Sequence, residues 1–238
     1  MATLPSKPVP RILISGGNYD ARWIARMAAL IVAATGRKRP RLLYLPTAVG
    51  DDPAACLRWY ERCAGLDVEP LVQRVFIDSL TQTRSWAEVL LGVDGIVASG
   101  GNTLNQQAIW RAQGIDRLLR QAWQRGIVLG GASAGGLCWF ESGSTDSRPQ
   151  QLSIVQGLGF LKGSHCPHYD SEPGRRPQYQ RLVASAELPA GYACDDGAGL
   201  LFEGRRVAQV IAVEAGARVY RVTRRGDRAV ERALPLSA

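Results

Sequence analysis

Short apolar strands alternating with helices predict an α/β fold: a doubly wound, mostly parallel sheet flanked by helices, with C-terminal hairpin strands. Three observations carry this expectation. Apolar runs such as Ile12-Leu13-Ile14 and Gly95-Ile96-Val97-Ala98 end in small-residue turns. Helical periodicity fills the intervals between them. After residue 190 the helical pattern gives way to short strands separated by turn residues. The 238 residues contain no linker, repeat or low-complexity stretch, so 1–238 reads as a single domain.

Arg11 to Ile14 is the first strand, closed by the turn Ser15-Gly16-Gly17-Asn18. Ala21 to Ala34 follows as a helix stopped by Gly36. Arg41 to Leu45 is the second strand. Asp51-Asp52-Pro53 opens a helix to about Ala64, with proline at an early position and acids at the positive dipole end. Val68 to Phe76 reads as a third strand region and Ser85 to Leu91 as a short helix. The fourth strand, Gly95 to Ala98, ends in Ser99-Gly100-Gly101-Asn102-Thr103, close in sequence to the first turn. Helices over Leu104–Gln113 and Ile115–Arg125 lead to the strand Ile127-Val128-Leu129. Tyr192-Ala193-Cys194, Gly199–Phe202, Val207–Val213 and Arg218–Val222 are expected to finish the sheet as hairpins. Parallel sheets hold ligands beyond the C-terminal ends of their strands. Three glycine-rich turns lie there, and none is a G-x-G-x-x-G or P-loop fingerprint, so no nucleotide cofactor is expected.

Composition narrows the setting. No apolar stretch reaches the roughly 18–20 residues that span a bilayer, and the first eight residues lack the apolar core of a signal peptide. A cytoplasmic location is the expectation. The five cysteines form no C-x-x-C and read as reduced thiols, Cys138 as core; Cys166 lies two residues from a histidine, and structural packing is favoured over reactivity. The net charge of +8 is nearly all arginine. Its densest run, Arg37-Lys38-Arg39-Pro40-Arg41, reads as a solvated loop without interleaved aromatics, so no nucleic-acid partner is expected.

Gly131-Ala132-Ser133-Ala134-Gly135 is a G-x-S-x-G pattern between an apolar strand and the helical pattern Leu137-Cys138-Trp139-Phe140. That is the arrangement of a nucleophile elbow, where small neighbours permit a sharp turn and the helix start offers free N–H groups. A serine nucleophile needs a base, and the chain has only His165 and His168, in Ser164-His165-Cys166-Pro167-His168-Tyr169-Asp170. An H-x-x-H pair without H-E-x-x-H is a poor zinc site, so no metal is expected. Candidate acids are Glu141, Asp146, Asp170, Glu172, Asp195 and Asp196; spacing alone does not choose among them. Asp146 lies in a stretch read as flexible, and Asp195-Asp196-Gly197 is also readable as a plain turn.

The elbow, preceded by Ser99–Thr103 and followed by Pro167-His168-Tyr169, resembles the peptidase E and cyanophycinase family, with its class I glutamine-amidotransferase-like fold. The resemblance runs from Ile12 to about Val213. It implies Ser133 as nucleophile, His168 as base and Asp146, 13 residues after the serine (146 − 133), as triad acid. It also implies an oxyanion hole from the N–H of Ala134 and of Gly100 or Gly101. The expected activity is that of a serine exopeptidase acting on a short peptide. The arginine that precedes the triad acid in aspartyl dipeptidases is missing from Glu141 to Thr145. Arg175 and Arg176 are therefore candidates for a substrate carboxylate, beside Asn102 and Tyr169 as further substrate contacts. An α/β-hydrolase esterase fits less well, because no histidine follows His168. A catalytically silent small-ligand-binding module is the remaining alternative. A homodimer is left open.

Overall fold

The structure is a computed structural model that describes residues 8–17, 21–76 and 82–237. Asn18 of the first expected turn lies outside these. In chain order the first half contains β1 (Arg11–Ser15), α1 (Ala21–Thr35), β2 (Arg41–Leu45), α2 (Pro53–Cys63), β3 (Glu69–Val72), α3 (Trp86–Leu90) and β4 (Gly95–Ala98). Then come α4 (Thr103–Ala112), α5 (Ile115–Gln124), β5 (Val128–Ala132), α6 (Ala134–Leu137), β6 (Phe140–Arg148), β7 (Gln151–Gln156) and β8 (Leu161–Cys166). The chain ends with α7 (Arg175–Ala184), β9 (Gly191–Cys194), β10 (Ala198–Glu203), β11 (Arg206–Ala212), β12 (Val219–Arg225) and β13 (Arg228–Ala233).

Local signals act where the sequence places them. Asp52 caps α2 by accepting from the N–H groups of Ala54 and Ala55 at 3.0 and 3.2 Å. Ser85 and Glu88 form a reciprocal capping box at α3.

The first sheet has the order β11-β10-β1-β5-β4-β2-β3, parallel from β1 to β3, with β10 and β11 antiparallel at one edge. Its strands are buried on both faces, which is why they read as unbroken apolar runs. Leu43, Ile96, Leu129, Ile12 and Phe202 are register partners across five strands and share one core cluster with Trp110 and Trp123 of α4 and α5. The residues between them, Leu42, Val128, Leu13 and Leu201, enter a second cluster with Trp23 and Ile31 of α1 and Trp59 of α2.

The expectation of one sheet completed by hairpins needs correction. A second sheet, β13-β12-β9-β8-β6-β7, takes up residues 140–166 and most of the C-terminal strands; only β10 and β11 finish the first sheet. The helix expected over 137–140 is likewise shorter: α6 ends at Leu137, and Phe140 begins β6. The supposedly flexible stretch around Asp146 is the end of that strand. Its sequence hides this because, after Phe140, the buried positions of β6 are Ser142, Gly143, Ser144 and Thr145, with no apolar alternation. Burial is tolerated because the groups are hydrogen-bonded: Ser144 Oγ donates to Gln178 Oε1 at 2.8 Å, and Thr145 Oγ1 shares a hydrogen bond of 2.7 Å with Ser147 Oγ.

Leu129 is fully buried at the centre of the first sheet. Leu129→Ala is expected to cost about 2–5 kcal/mol, read as a lower urea midpoint with an unchanged slope.

Candidate functional site

Ser133 sits where β5 passes into α6, at φ 55° and ψ −123°, a conformation that costs a non-glycine residue energy and persists only when its surroundings impose it. Those surroundings are visible. The Ser133 N–H donates to the Ser15 carbonyl at 3.2 Å, and its own carbonyl accepts from Gly136 and Leu137, both at 2.9 Å. Gly135 lies so close to the Ala98 carbonyl at the end of β4 that any side chain there would collide with it. The Ala134 N–H, in the first turn of α6, has no intrahelical partner.

His168 lies beyond β8, itself in left-handed backbone at φ 51°. Its Nε2 is 2.8 Å from Ser133 Oγ and its Nδ1 is 2.9 Å from Asp196 Oδ1. The ring is 9% exposed. Burial opposes ionisation of Asp196, but the hydrogen bonds from His168 and Ser171 outweigh it and hold the carboxyl below its ordinary range. The result is an unbroken Ser–His–carboxylate chain at the C-terminal end of a parallel sheet.

The acid in that chain is not Asp146. The structure places Asp146 on the surface, its Oδ1 3.3 Å from Arg175 Nη2, and does not bring it to His168. Register alone does not decide between the carboxylates, because β8 is flanked in parallel by β6 and β9. Asp146 lies three residues past Gly143, whose partner is His165; Asp196 lies three past Ala193, whose partner is Cys166. Both acids therefore stand at the level of His168, Asp146 within β6 and Asp196 just past β9. The ring is paired on the β9 side, while Arg175 holds the acid on the other. Asp196 was among the candidates by residue type, and nothing in its Asp-Asp-Gly turn distinguished it.

The remaining candidates divide. Gly100 and Gly101 follow β4, which pairs with β5 through Ala98 and Gly131, so this turn lies beside the elbow. Asn102 is committed elsewhere: its Oδ1 caps α4 by accepting from Asn105 N–H at 2.9 Å, and its Nδ2 donates to the Ser147 carbonyl at 3.0 Å. Tyr169 is buried and donates its hydroxyl to Glu231 at 2.8 Å. Arg175 is only 2% exposed and donates to Glu172 at 2.6 Å and to the Ser144 carbonyl at 2.9 Å, beside its Asp146 pair. Arg176 pairs with Glu231 and stacks over Tyr169 and Tyr220. Arg175 and Tyr169 are buried and held by partners within the protein, while Arg176 is paired with Glu231 with its side chain 43% exposed. Sequence reasoning gave Glu172 no role beyond that of a candidate acid, yet its Oε1 lies 3.9 Å from His168 Nε2.

The other histidine is inert. His165 is fully buried against Phe140, and burial pushes its pKa down to about 3. Cys166 is also buried, which pushes its thiol up to about 12, and a reactive role is not supported. Among the described residues no group of three or more His, Cys, Asp or Glu could hold a metal ion, and no helix is long and apolar enough to cross a membrane.

Fold and site together define a hydrolase of the serine type. Comparison with known proteins agrees. Residues 11–210 match Peptidase family S51. The chain is 40% identical over 206 residues to the uncharacterized peptidase YgaJ of Bacillus subtilis (strain 168), covering 87% of this chain and 88% of that one. A crystal structure of a peptidase from an acI-B1 Actinobacterium superposes with a TM-score of 0.72 at 17% identity, covering 98% of this chain and 96% of the other. A Listeria monocytogenes EGD-e protein whose name refers to peptidase E gives 0.64 at 16% identity, covering 87% of this chain and all of the other. The chain belongs to peptidase family S51, and is a serine peptidase with the α/β fold of these structural neighbours.

Asp195, next to the site carboxylate, generates a pH prediction. Burial, and then the charge of Asp170, raise its pKa from 3.8 to about 6. One oxygen accepts from the Arg218 N–H at 3.0 Å while the other is buried without a partner among the described residues. A carboxyl raised on folding lends stability below its unfolded pKa and loses it as pH rises through the folded value. The Asp195 contribution to stability should therefore fall from pH 4 to 7, read as the difference between wild type and Asp195→Asn in urea denaturation at each pH. Asp195→Asn should remove that slope, gaining on the order of 1–3 kcal/mol relative to wild type at pH 7.

Proposed function

We propose that the protein is an exopeptidase of the dipeptidase kind, working through Ser133, His168 and Asp196. The observation that carries this is the hydrogen-bonded chain of 2.8 and 2.9 Å joining the three side chains. His168 Nε2 takes the Ser133 hydroxyl proton as Oγ bonds to the scissile carbonyl carbon. The negative charge that develops on the carbonyl oxygen is met by the N–H of Ala134 and of Gly100 or Gly101. Collapse breaks the C–N bond, and His168 returns the proton to the departing amine. Water, deprotonated by His168, then hydrolyses the acyl-serine. Asp196 fixes the Nδ1–H tautomer and stabilises the imidazolium formed in both halves of the reaction.

Glu172 supports activity at chain ends. Its carboxylate is partly exposed beside His168 and steadied by Arg175, so it can receive a free α-ammonium group. The five unpaired cysteines support the cytoplasmic setting included in this proposal.

In a dipeptide-library assay Ser133→Ala should abolish hydrolysis with the circular-dichroism spectrum retained. Asp196→Asn should lower kcat by about 10⁴, as loss of the orienting carboxylate does in serine peptidase triads. Asp146→Asn should stay within about one order of magnitude of wild type. A large loss for Asp146→Asn with a small one for Asp196→Asn would overturn the assignment of the acid.

A further inference from the structure

On the face of the first sheet covered by α1 and α2 there is a cavity of about 590 Å³ that the Ser133 chemistry leaves unused. Its size falls within the roughly 300–1,000 Å³ of small-molecule sites. Part of its wall is the site itself: Gly100, Gly101, Gly131 and Ala132, the residue before Ser133. Much of the rest is aromatic and aliphatic, from Trp23 and Ile31 on α1, Tyr44 on β2 and Trp59 on α2. Tyr44 and Trp59 stack at 5.1 Å between ring centroids and 12° between planes, which makes a flat, stiff surface. The Tyr44 phenol is pushed up to about 12 by burial, so it stays neutral. Ser15, which also lines the cavity, has a buried hydroxyl with no hydrogen-bond partner among the described residues. Arg58 and Arg62 of α2 supply the charge in the wall, and Arg58 is paired with Asp52 at 3.6 Å.

We propose that this cavity receives the side chain of the residue whose carbonyl Ser133 attacks, and that this side chain is large and apolar, aromatic above all. The proposal rests on the reading of Ser133 as nucleophile. In the acyl-enzyme the carbonyl oxygen faces the glycine turn and the Ala134 N–H, and the side chain begins two bonds from the carbonyl carbon. The void that opens beside the same glycines is where it goes. Flat indole and phenol walls favour a ring, and the unpaired Ser15 hydroxyl suits the polar tip of a phenol or indole. A carboxylate side chain would shed its water against Trp23 and Trp59, and its compensation would have to come from Arg58 or Arg62 in the wall, so the carboxymethyl compound is the arm that tests the apolar assignment.

Diphenyl esters of 1-aminoalkylphosphonates test this independently of peptide length. Phosphorus bonds to Ser133 Oγ, one phenoxide leaves, and the serine proton passes through His168 to it. Side chains of methyl, carboxymethyl, isobutyl and benzyl are compared on the wild-type protein by mass-spectrometric rates of Ser133 modification. The benzyl compound is expected to react fastest, at least about tenfold faster than methyl. Ala28→Phe fills the cavity from α1, and Ala55→Phe fills it from α2. Each is expected to lower the benzyl-to-methyl ratio by about tenfold. Equal rates in wild type, or a carboxymethyl preference, overturn the pocket while leaving the nucleophile standing. So does a benzyl preference that survives in the folded filling variants. If no compound modifies Ser133, the proposed chemistry itself fails. Should neither variant fold, the wild-type profile decides alone.

Discussion

The crossover from β9 to β10 carries the chain from the second sheet to the first, and its seat against the end of β1 sets the geometry at Ser133. Gly197 N–H donates to the Gly17 carbonyl at 3.3 Å, Gly16 N–H to the Ala198 carbonyl at 3.0 Å, and Asp196 N–H to Asp170 at 2.9 Å. At Gly17 the fit is so close that a side chain would occupy the space of the His168 ring and the Asp196 carboxylate together. The imidazole–carboxylate pair therefore rests on bare backbone. The same turn supplies Ser15, whose carbonyl holds the Ser133 N–H. One short turn thus fixes the serine from one side and its partners from the other.

Charge burial explains the surroundings of His168. A guanidinium as enclosed as that of Arg175 is sustainable only when its donors are satisfied. Glu172, Asp146 and the Ser144 carbonyl do this, tying α7 to the end of β6. The Glu172 N–H in turn donates to the His168 carbonyl at 3.3 Å, which helps hold the loop after β8 in its left-handed bend. On the opposite side Arg176, Tyr169 and Glu231 clamp the same loop to β13. The arginines act as fasteners of the histidine loop.

Much of this was legible in the chain. The parallel strands are buried on both faces, so Arg11–Ile14, Arg41–Leu45 and Gly95–Ala98 announce themselves as apolar runs; small residues around Ser133 mark the nucleophile, and the scarcity of histidine narrows the base to His165 or His168, between which the family resemblance chose His168. The second sheet was hidden because β6 buries serines, a glycine and a threonine. Asp196 was hidden for a different reason. Two carboxylates, one within β6 and one just past β9, stand at the same level beside β8, and which one meets the ring depends on a backbone bend at His168 and on a buried arginine 31 residues beyond Ser144. Neither is a local property of the sequence.

Division of the site between two sheets also has a consequence for how the molecule comes into being. Ser133 ends a strand of the first sheet, His168 follows a strand of the second, and Asp196 lies on the passage from β9 back to the first sheet. A nascent chain or N-terminal fragment that stops at Cys194 holds the serine and the imidazole without the carboxylate. The complete relay of hydrogen bonds arises only when the late crossover closes one sheet onto the other, so synthesis itself keeps the serine disarmed until folding is nearly finished.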